Sequence, residues 1–155
     1  MSNRHTQAFV AVIDGGYVHY QVEKELLGAA GYELEFYSGD ASDQNAKAKF
    51  CRHADGILLR STCIDDEFLD HTPNLRAVVR YGIGIDNLDI EALTRRGIAA
   101  ANVQGYATHA VSDHALMLLF TCLRGGLFSA KEMQQQFGKP QQAEIWELHR
   151  KTLEI

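Results

Sequence analysis

Several common classes of protein are excluded by what this 155-residue chain lacks. Its three cysteines, Cys51, Cys63 and Cys122, are odd in number and without CxxC spacing. No disulfide framework is indicated, and reduced thiols in cytosol are the expectation. Lys and Arg gather in nothing larger than pairs such as Arg95-Arg96, and 15 Lys and Arg against 20 Asp and Glu leave a formal net charge of -5. Neither nucleic acid nor an acidic membrane surface finds its electrostatic footprint here. The apolar run near the N-terminus, Ala8 to Ile13, is too short for a signal segment or a membrane span. There is no internal repeat, no low-complexity linker and no metal-ligand set. The expectation is a soluble cytoplasmic protein with neither a nucleic-acid nor a membrane partner. At this length folding hides roughly 70% of the unfolded surface, so a core forms without disulfides or metals.

What is present is an alternation. Ala8 to Ile13 reads as a buried central strand ending at Asp14-Gly15-Gly16. Val22, Leu26, Leu27 and Ala30 then recur at helical spacing within Tyr17 to Ala30, and Gly31 stands at the C-terminal cap position. Tyr32 to Tyr37 alternates like a half-exposed edge strand, and Ser42 to His53 reads as a polar helix with a thin stripe of Ala46, Phe50 and Ala54. Gly56 to Leu59 is a strand that runs into Arg60-Ser61-Thr62. A short helix over Asp65 to Leu69, a strand over Arg76 to Arg80, a helix over Leu88 to Arg96 and a strand over Ile98 to Asn102 follow. A long apolar helix spans Ala107 to Leu123. After Gly125-Gly126, Leu127 to Phe137 reads as a further helix, and Lys151 to Ile155 as the start of a strand. The alternation predicts an α/β fold: a flavodoxin-like, doubly wound five-stranded parallel sheet followed by a C-terminal helical extension.

In such sheets ligands lie outside the carboxyl ends of the strands, which draws attention to Gly82-Ile83-Gly84 after the fourth strand. Glycines there let backbone amides approach a ligand with no Cβ in the way. A receiver domain would need an acidic cluster after the first strand, where Asp14 stands alone. It would also need an Asp at the end of the third, where Arg60 stands. A flavodoxin proper would need a Ser/Thr-rich phosphate loop in place of Asp14 to His19. Both fall on chemistry, not on fold.

Three ordered stretches, RYGIGIDNLD, RRGIAAANV and AVSDHALMLL, resemble the D-isomer-specific 2-hydroxyacid dehydrogenases. RST at Arg60 to Thr62 and WELHRKTL at Trp146 to Leu153 extend the resemblance over nearly the whole chain. Tyr81 and Asp113, where a glutamate is usual, depart from the pattern. The resemblance implies a substrate domain over residues 1–124, then an interdomain segment over 125–155 that opens the first strand of a nucleotide-binding domain. It implies NAD as the family's cofactor and a small 2-hydroxy or 2-keto acid as substrate. It also implies that Arg60, Ser61, Gly82, Ile83 and Gly84 bind substrate and that Ile83 touches the cofactor. KTL is followed here by Glu154-Ile155, without the GxGxxG turn or the catalytic Arg, Glu and His of the family. No catalytic residue is therefore assigned, and the 155 residues alone are expected to be inactive, with no NAD binding of their own. The alternative is a non-catalytic small-carboxylate-binding or dimerisation module.

Other residues have structural readings. His109 and Asp113 lie four apart on one helical face, with no nucleophile or metal set beside them. Asp86 and Asn87 are strong N-cap types for the helix that follows. Cys63, near Arg60, is a candidate for a thiol of lowered pKa. The helix over 107–123 is apolar on more than one stripe, so it is expected to be buried on more than one side, one of them by the sheet. Its other side, without the family's usual cover, points to a homodimer or a domain-swapped assembly through residues 107–155.

Overall fold

The computed structural model describes residues 8–15, 19–125, 146–147 and 149–152. They separate into two compact units, residues 1–104 and 105–155. In the first, β1 (Phe9–Val12), β2 (Glu33–Phe36), β3 (Gly56–Leu59), β4 (Ala77–Arg80) and β5 (Ala99–Asn102) form one sheet in the order β2-β1-β3-β4-β5. Every pairing is parallel, for example Val10 with Leu34 and with Gly56, and Val78 with Ile57 and Ala100. This is the doubly wound, flavodoxin-like order the alternation predicts. β1 and β3 are buried along their whole length because strands lie on both sides of each and helices cover them. β2, at an edge, is only partly covered: Leu34 and Glu35 are half-buried, and Glu33 and Phe36 are exposed.

Alternate residues along the strands feed two cores. Phe9, Ala11, Ile13, Ile57, Leu59 and Val78 meet Ala48 and Cys51, Phe68 and Leu69, and Ala92 and Leu93. Those partners lie on or directly after α2 (Gln44–Phe50), α3 (Asp66–Asp70) and α4 (Ile90–Arg95). Val10, Val12 and Leu58 face the other way, toward Tyr20, Leu27 and Tyr32 around α1 (Gln21–Ala29). Gly31 and Gly97 take φ of +85° and +70°, closing α1 and α4. In each, paired amide-to-carbonyl bonds run back into the last turn, Tyr32 to Leu27 and Ile98 to Leu93, which only a left-handed residue permits.

Several expectations need correction. The stripe of α1 is not buried: Val22 and Leu26 lie in solvent, and only Leu27 reaches the core. α2 is turned by about one residue from the predicted face: Lys47 and Ala48 are buried, while of the predicted stripe Ala46 and Phe50 are half-buried and Ala54, beyond the helix, is buried. The cap of α4 is Asp89, whose carboxylate accepts from the Ala92 amide, and Asp86 and Asn87 precede it in a loop. In the second unit, α5 (Thr108–Leu123) has no buried residue. Its predicted burial is not met, because that unit holds no second regular element among the described residues to cover it. Residues 17–18 of the first predicted helix, the predicted helix over 127–137 and residues 153–155 of the strand predicted from Lys151 to Ile155 lie outside the described residues.

Candidate functional site at the carboxyl ends of β1, β3 and β4

The order of strands reverses between β1 and β3, so their carboxyl ends are where a crevice is expected. Asp14 stands just beyond β1, and its side chain is the centre of that end of the sheet. Its Oδ2 accepts hydrogen bonds from three successive amides, Arg60 at 2.8 Å, Ser61 at 2.7 Å and Thr62 at 2.8 Å. Its Oδ1 accepts from the Thr62 hydroxyl at 2.6 Å and from Lys47 Nζ at 2.9 Å. Lys47 also donates to Thr62 Oγ1 at 2.7 Å. The Asp14 and Lys47 side chains are only 6% and 4% exposed. Burial by itself raises the carboxyl pKa, but the Thr62 hydroxyl, the Lys47 ammonium and the amides of Thr62 and Arg60 more than offset it. The group is held well below the usual carboxylate range. Asp14 therefore fills the concavity formed by the loop after β3, and that loop's amides are spent on the protein itself.

The loop after β3 is joined to the loop after β4. Ile64 and Leu88 form an isolated parallel bridge, with the Ile64 amide donating to Asn87 O at 2.8 Å and the Asp89 amide to Ile64 O at 2.9 Å. Asn87 Nδ2 adds a bond of 2.7 Å to Thr62 O. Arg80, the last residue of β4, donates from Nε to Arg60 O at 3.1 Å and from Nη1 to Gly84 O. Its guanidinium occupies the space that the glycines leave: a Cβ on Gly82 or Gly84 would stand 2.9 or 3.0 Å from Arg80 Nη1. The glycines expected to make room for a ligand thus make room first for an arginine.

The sequence-predicted site residues are brought together by these bonds. Arg60 and Ser61 are exposed, and their side chains have no hydrogen-bond partner among the described residues. Gly82 is buried, its amide bonded to Arg80 O and its carbonyl accepting from Val103. Ile83 is 43% exposed, and its carbonyl accepts from Asn102 Nδ2. The amides of Ile83 and Gly84 donate to no acceptor among the described residues. Two unpaired amides in one loop, with an unpaired guanidinium and hydroxyl in the loop bonded to it, are groups suited to a small anion.

Other candidates are not part of it. His109 and Asp113 make no hydrogen bond to each other; the His109 carbonyl instead accepts from Ser112 Oγ. Cys63 is exposed, but its thiol is pushed up, by partial burial first and then by the carboxylates of Asp65 and Asp89. The expectation of a lowered pKa is therefore wrong, since the nearby charges are negative. Tyr81 donates from its hydroxyl to Glu23 at 2.9 Å and anchors α1. Sequence reasoning missed Lys47 and left Asp14 without a partner. The only available signal was an aspartate at a strand's end with a lysine on the second helix after it, a pattern too common to single out. Among the described residues no His, Cys, Asp and Glu are grouped to hold a metal, and no helix is long and apolar enough to cross a membrane.

A sequence profile of the catalytic domain of D-isomer-specific 2-hydroxyacid dehydrogenases matches residues 10–145. D-3-phosphoglycerate dehydrogenase of Mycobacterium leprae is 33% identical over 105 residues, which are 67% of this chain and 20% of that protein. Glyoxylate reductase of Pyrococcus furiosus is 41% identical over 68 residues, 44% of this chain and 20% of that one. The matched residues thus amount to about a fifth of either relative. Among solved structures, the NAD complex of formate dehydrogenase from Staphylococcus aureus superimposes with a TM-score of 0.67 over 92% of this chain and 44% of that one. At 20% identity it supports the fold alone. Strand order and the match over most of the chain agree, and the chain belongs to the NAD-dependent D-isomer-specific 2-hydroxyacid dehydrogenase family, within its catalytic domain.

Proposed function

We propose that these residues form the carboxylate-holding wall of a 2-hydroxyacid dehydrogenase site. The amides of Ile83 and Gly84, the Arg60 guanidinium and the Ser61 hydroxyl take the carboxylate of a small 2-hydroxy or 2-keto acid. The observation that carries this reading is that all four donors lack a partner among the described residues while their two loops are bonded to each other. Charge-assisted bonds from a guanidinium and from oriented amides are the strong bonds for such a group. The exposed Ile83 side chain offers an apolar surface for a nicotinamide edge.

For NAD as a whole the residues present do not fit. GIGIDN after β4 is not GxGxxG, and α4 behind it has six residues, with an aspartate as its cap. A pyrophosphate there would meet the carboxylates of Asp86 and Asp89 in place of a bare helix N-terminus. Oxidation of a hydroxy acid also needs a base within reach of the hydroxyl. No such residue is assigned among these 155, so the polypeptide alone binds an acid without turning it over.

The test is an amide-resolved NMR titration with glyoxylate, with and without NADH. Shifts at Arg60, Ser61, Ile83 and Gly84, unaffected by NADH, are expected. No shift at millimolar glyoxylate, or shifts confined to other residues, overturns the reading. Turnover of NADH by the isolated chain overturns the second part.

α5 favours an assembly role beside the first. Val111, Leu116, Met117 and Phe120 are 63%, 51%, 51% and 51% exposed, a concentration of apolar surface that marks an interaction site. A homodimer formed through residues 107–155 covers them. Light scattering of the purified chain decides it, and a clean monomer at high concentration refutes it.

A further inference from the structure

We propose that Arg80 is a positioning residue for substrate, holding the loops after β3 and β4 at the separation at which both grip one carboxylate; the proposal rests on the carboxylate reading above. Arg80 is the last residue of β4, in register with Leu59 of β3 and Asn102 of β5, so its backbone is fixed by strands on both sides. From there one planar guanidinium donates to the carbonyl of Arg60 in one loop and to that of Gly84 in the other. Arg60 carries a proposed donor side chain, and Gly84 a proposed donor amide. The guanidinium thus sets the distance between the two halves of the site without itself taking the ligand.

The glycines support this role. Gly82 and Gly84 have no positive φ, so backbone freedom does not account for them. Space does, because a Cβ on Gly82 would stand 2.9 Å from Arg80 Nη1, and one on Gly84 would stand 3.0 Å from it and 3.1 Å from Asp86 Oδ2, so the guanidinium would have to shift from its place between the two carbonyls. The Gly-x-Gly pattern is in this sense a cradle for Arg80. A lysine keeps the charge but not the fork: its ammonium is a point on a flexible stem and does not hold two diverging carbonyls in one rigid plane.

The experiment follows glyoxylate binding by NMR in the full chain, its Arg80→Met and Arg80→Lys variants, Gly84→Ala, and the Gly84→Ala/Arg80→Met double variant. All are compared at a temperature where circular dichroism shows each fully folded. Affinity is expected to fall about tenfold or more in both Arg80 variants, the loss expected when a binding constellation loosens by about an ångström. Gly84→Ala should weaken binding similarly in the wild-type background and add little to Arg80→Met, because both lose the same clamp. Wild-type affinity in Arg80→Lys would show that charge alone matters, and full additivity of the two substitutions would remove the cradle; either overturns the proposal. Wild-type shifts with unchanged affinity in Arg80→Met overturn this inference and leave the carboxylate reading standing. The absence of any wild-type shift overturns both.

Discussion

Replacing Asp14 by asparagine should be the most damaging small substitution at the site, and its cost can be worked from the hydrogen bonds. The carboxylate accepts from three amides on one oxygen and from a hydroxyl and an ammonium on the other. Asparagine keeps the shape and one acceptor. If its oxygen serves the three amides, its NH2 points at Lys47 Nζ, donor against donor, and leaves a buried ammonium uncompensated. Breaking a buried pair from one side costs about 3–5 kcal/mol. For a chain of this size each kcal/mol lowers Tm by about 2–4 °C, so a fall of roughly 6–20 °C is expected. Lys47→Met should cost less, about 1–3 kcal/mol, since the carboxylate keeps its other donors. The double variant, with no stranded ammonium, should be more stable than the sum of the single losses implies. Urea unfolding followed by circular dichroism measures all three. A loss below about 1 kcal/mol in Asp14→Asn would refute the reasoning, because a buried charge cannot be stranded so cheaply.

The same carboxylate fixes a pH dependence. Its ordinary value is 3.8 and the folded state holds it well below that, so the unfolded chain binds the proton more tightly. The stabilisation is complete above about pH 4 and is lost as pH falls through the depressed folded value. Wild-type stability should therefore decline in acid with a component that Asp14→Asn lacks, and identical acid limbs in urea titrations would contradict the assignment. Asp89→Ala should cost about 1 kcal/mol through loss of the α4 cap, while Asp86→Ala should cost little; the reverse order in thermal melts would return the cap to the loop. Cys63, though exposed, should be alkylated slowly at neutral pH because its thiol is raised, and a rate matching a free thiol would refute this. Cys51, buried and pushed up to about 12, should react only on unfolding, as a pulse of iodoacetamide across a urea series would show. If α5 mediates association, Phe120→Glu should dissociate the assembly in light scattering without altering glyoxylate shifts in the first unit.

The strands were legible because four are short runs rich in Val, Ile, Leu, Phe or Ala and the fifth, β2, alternates polar and apolar residues as an edge strand does, and five such segments separated by helical spacing admit few folds. The turn after β4 was legible for the same local reason. Burial was less so. Val22 and Leu26 fit a helical stripe as well as Leu27 does, but which side of a helix meets the sheet depends on how the helix docks, and a shift of one residue put Lys47 inside. Asp86 and Asn87 are good caps in isolation; Asn87 instead holds Thr62, and Asp89 took the cap because the Ile64–Leu88 bridge extends the loop past them. Cys63 lies near Arg60 in sequence, but the charges that act on it are Asp65, two positions on, and Asp89, which only the bridge between the two loops brings close.

By itself the amino-acid order determined the alternation, the parallel sheet and the two loops where a ligand would sit, since these follow from periodicity and turn chemistry within a few residues. Tertiary structure alone decided what those loops are built on. Asp14 meets Lys47 and Thr62 across 33 and 48 positions, and Arg80 reaches back 20 to Arg60. Contacts of that separation exist only once β1, β3 and β4 lie side by side, and they turn an aspartate that looked solitary into the anchor of the site and two glycines into the seat of an arginine.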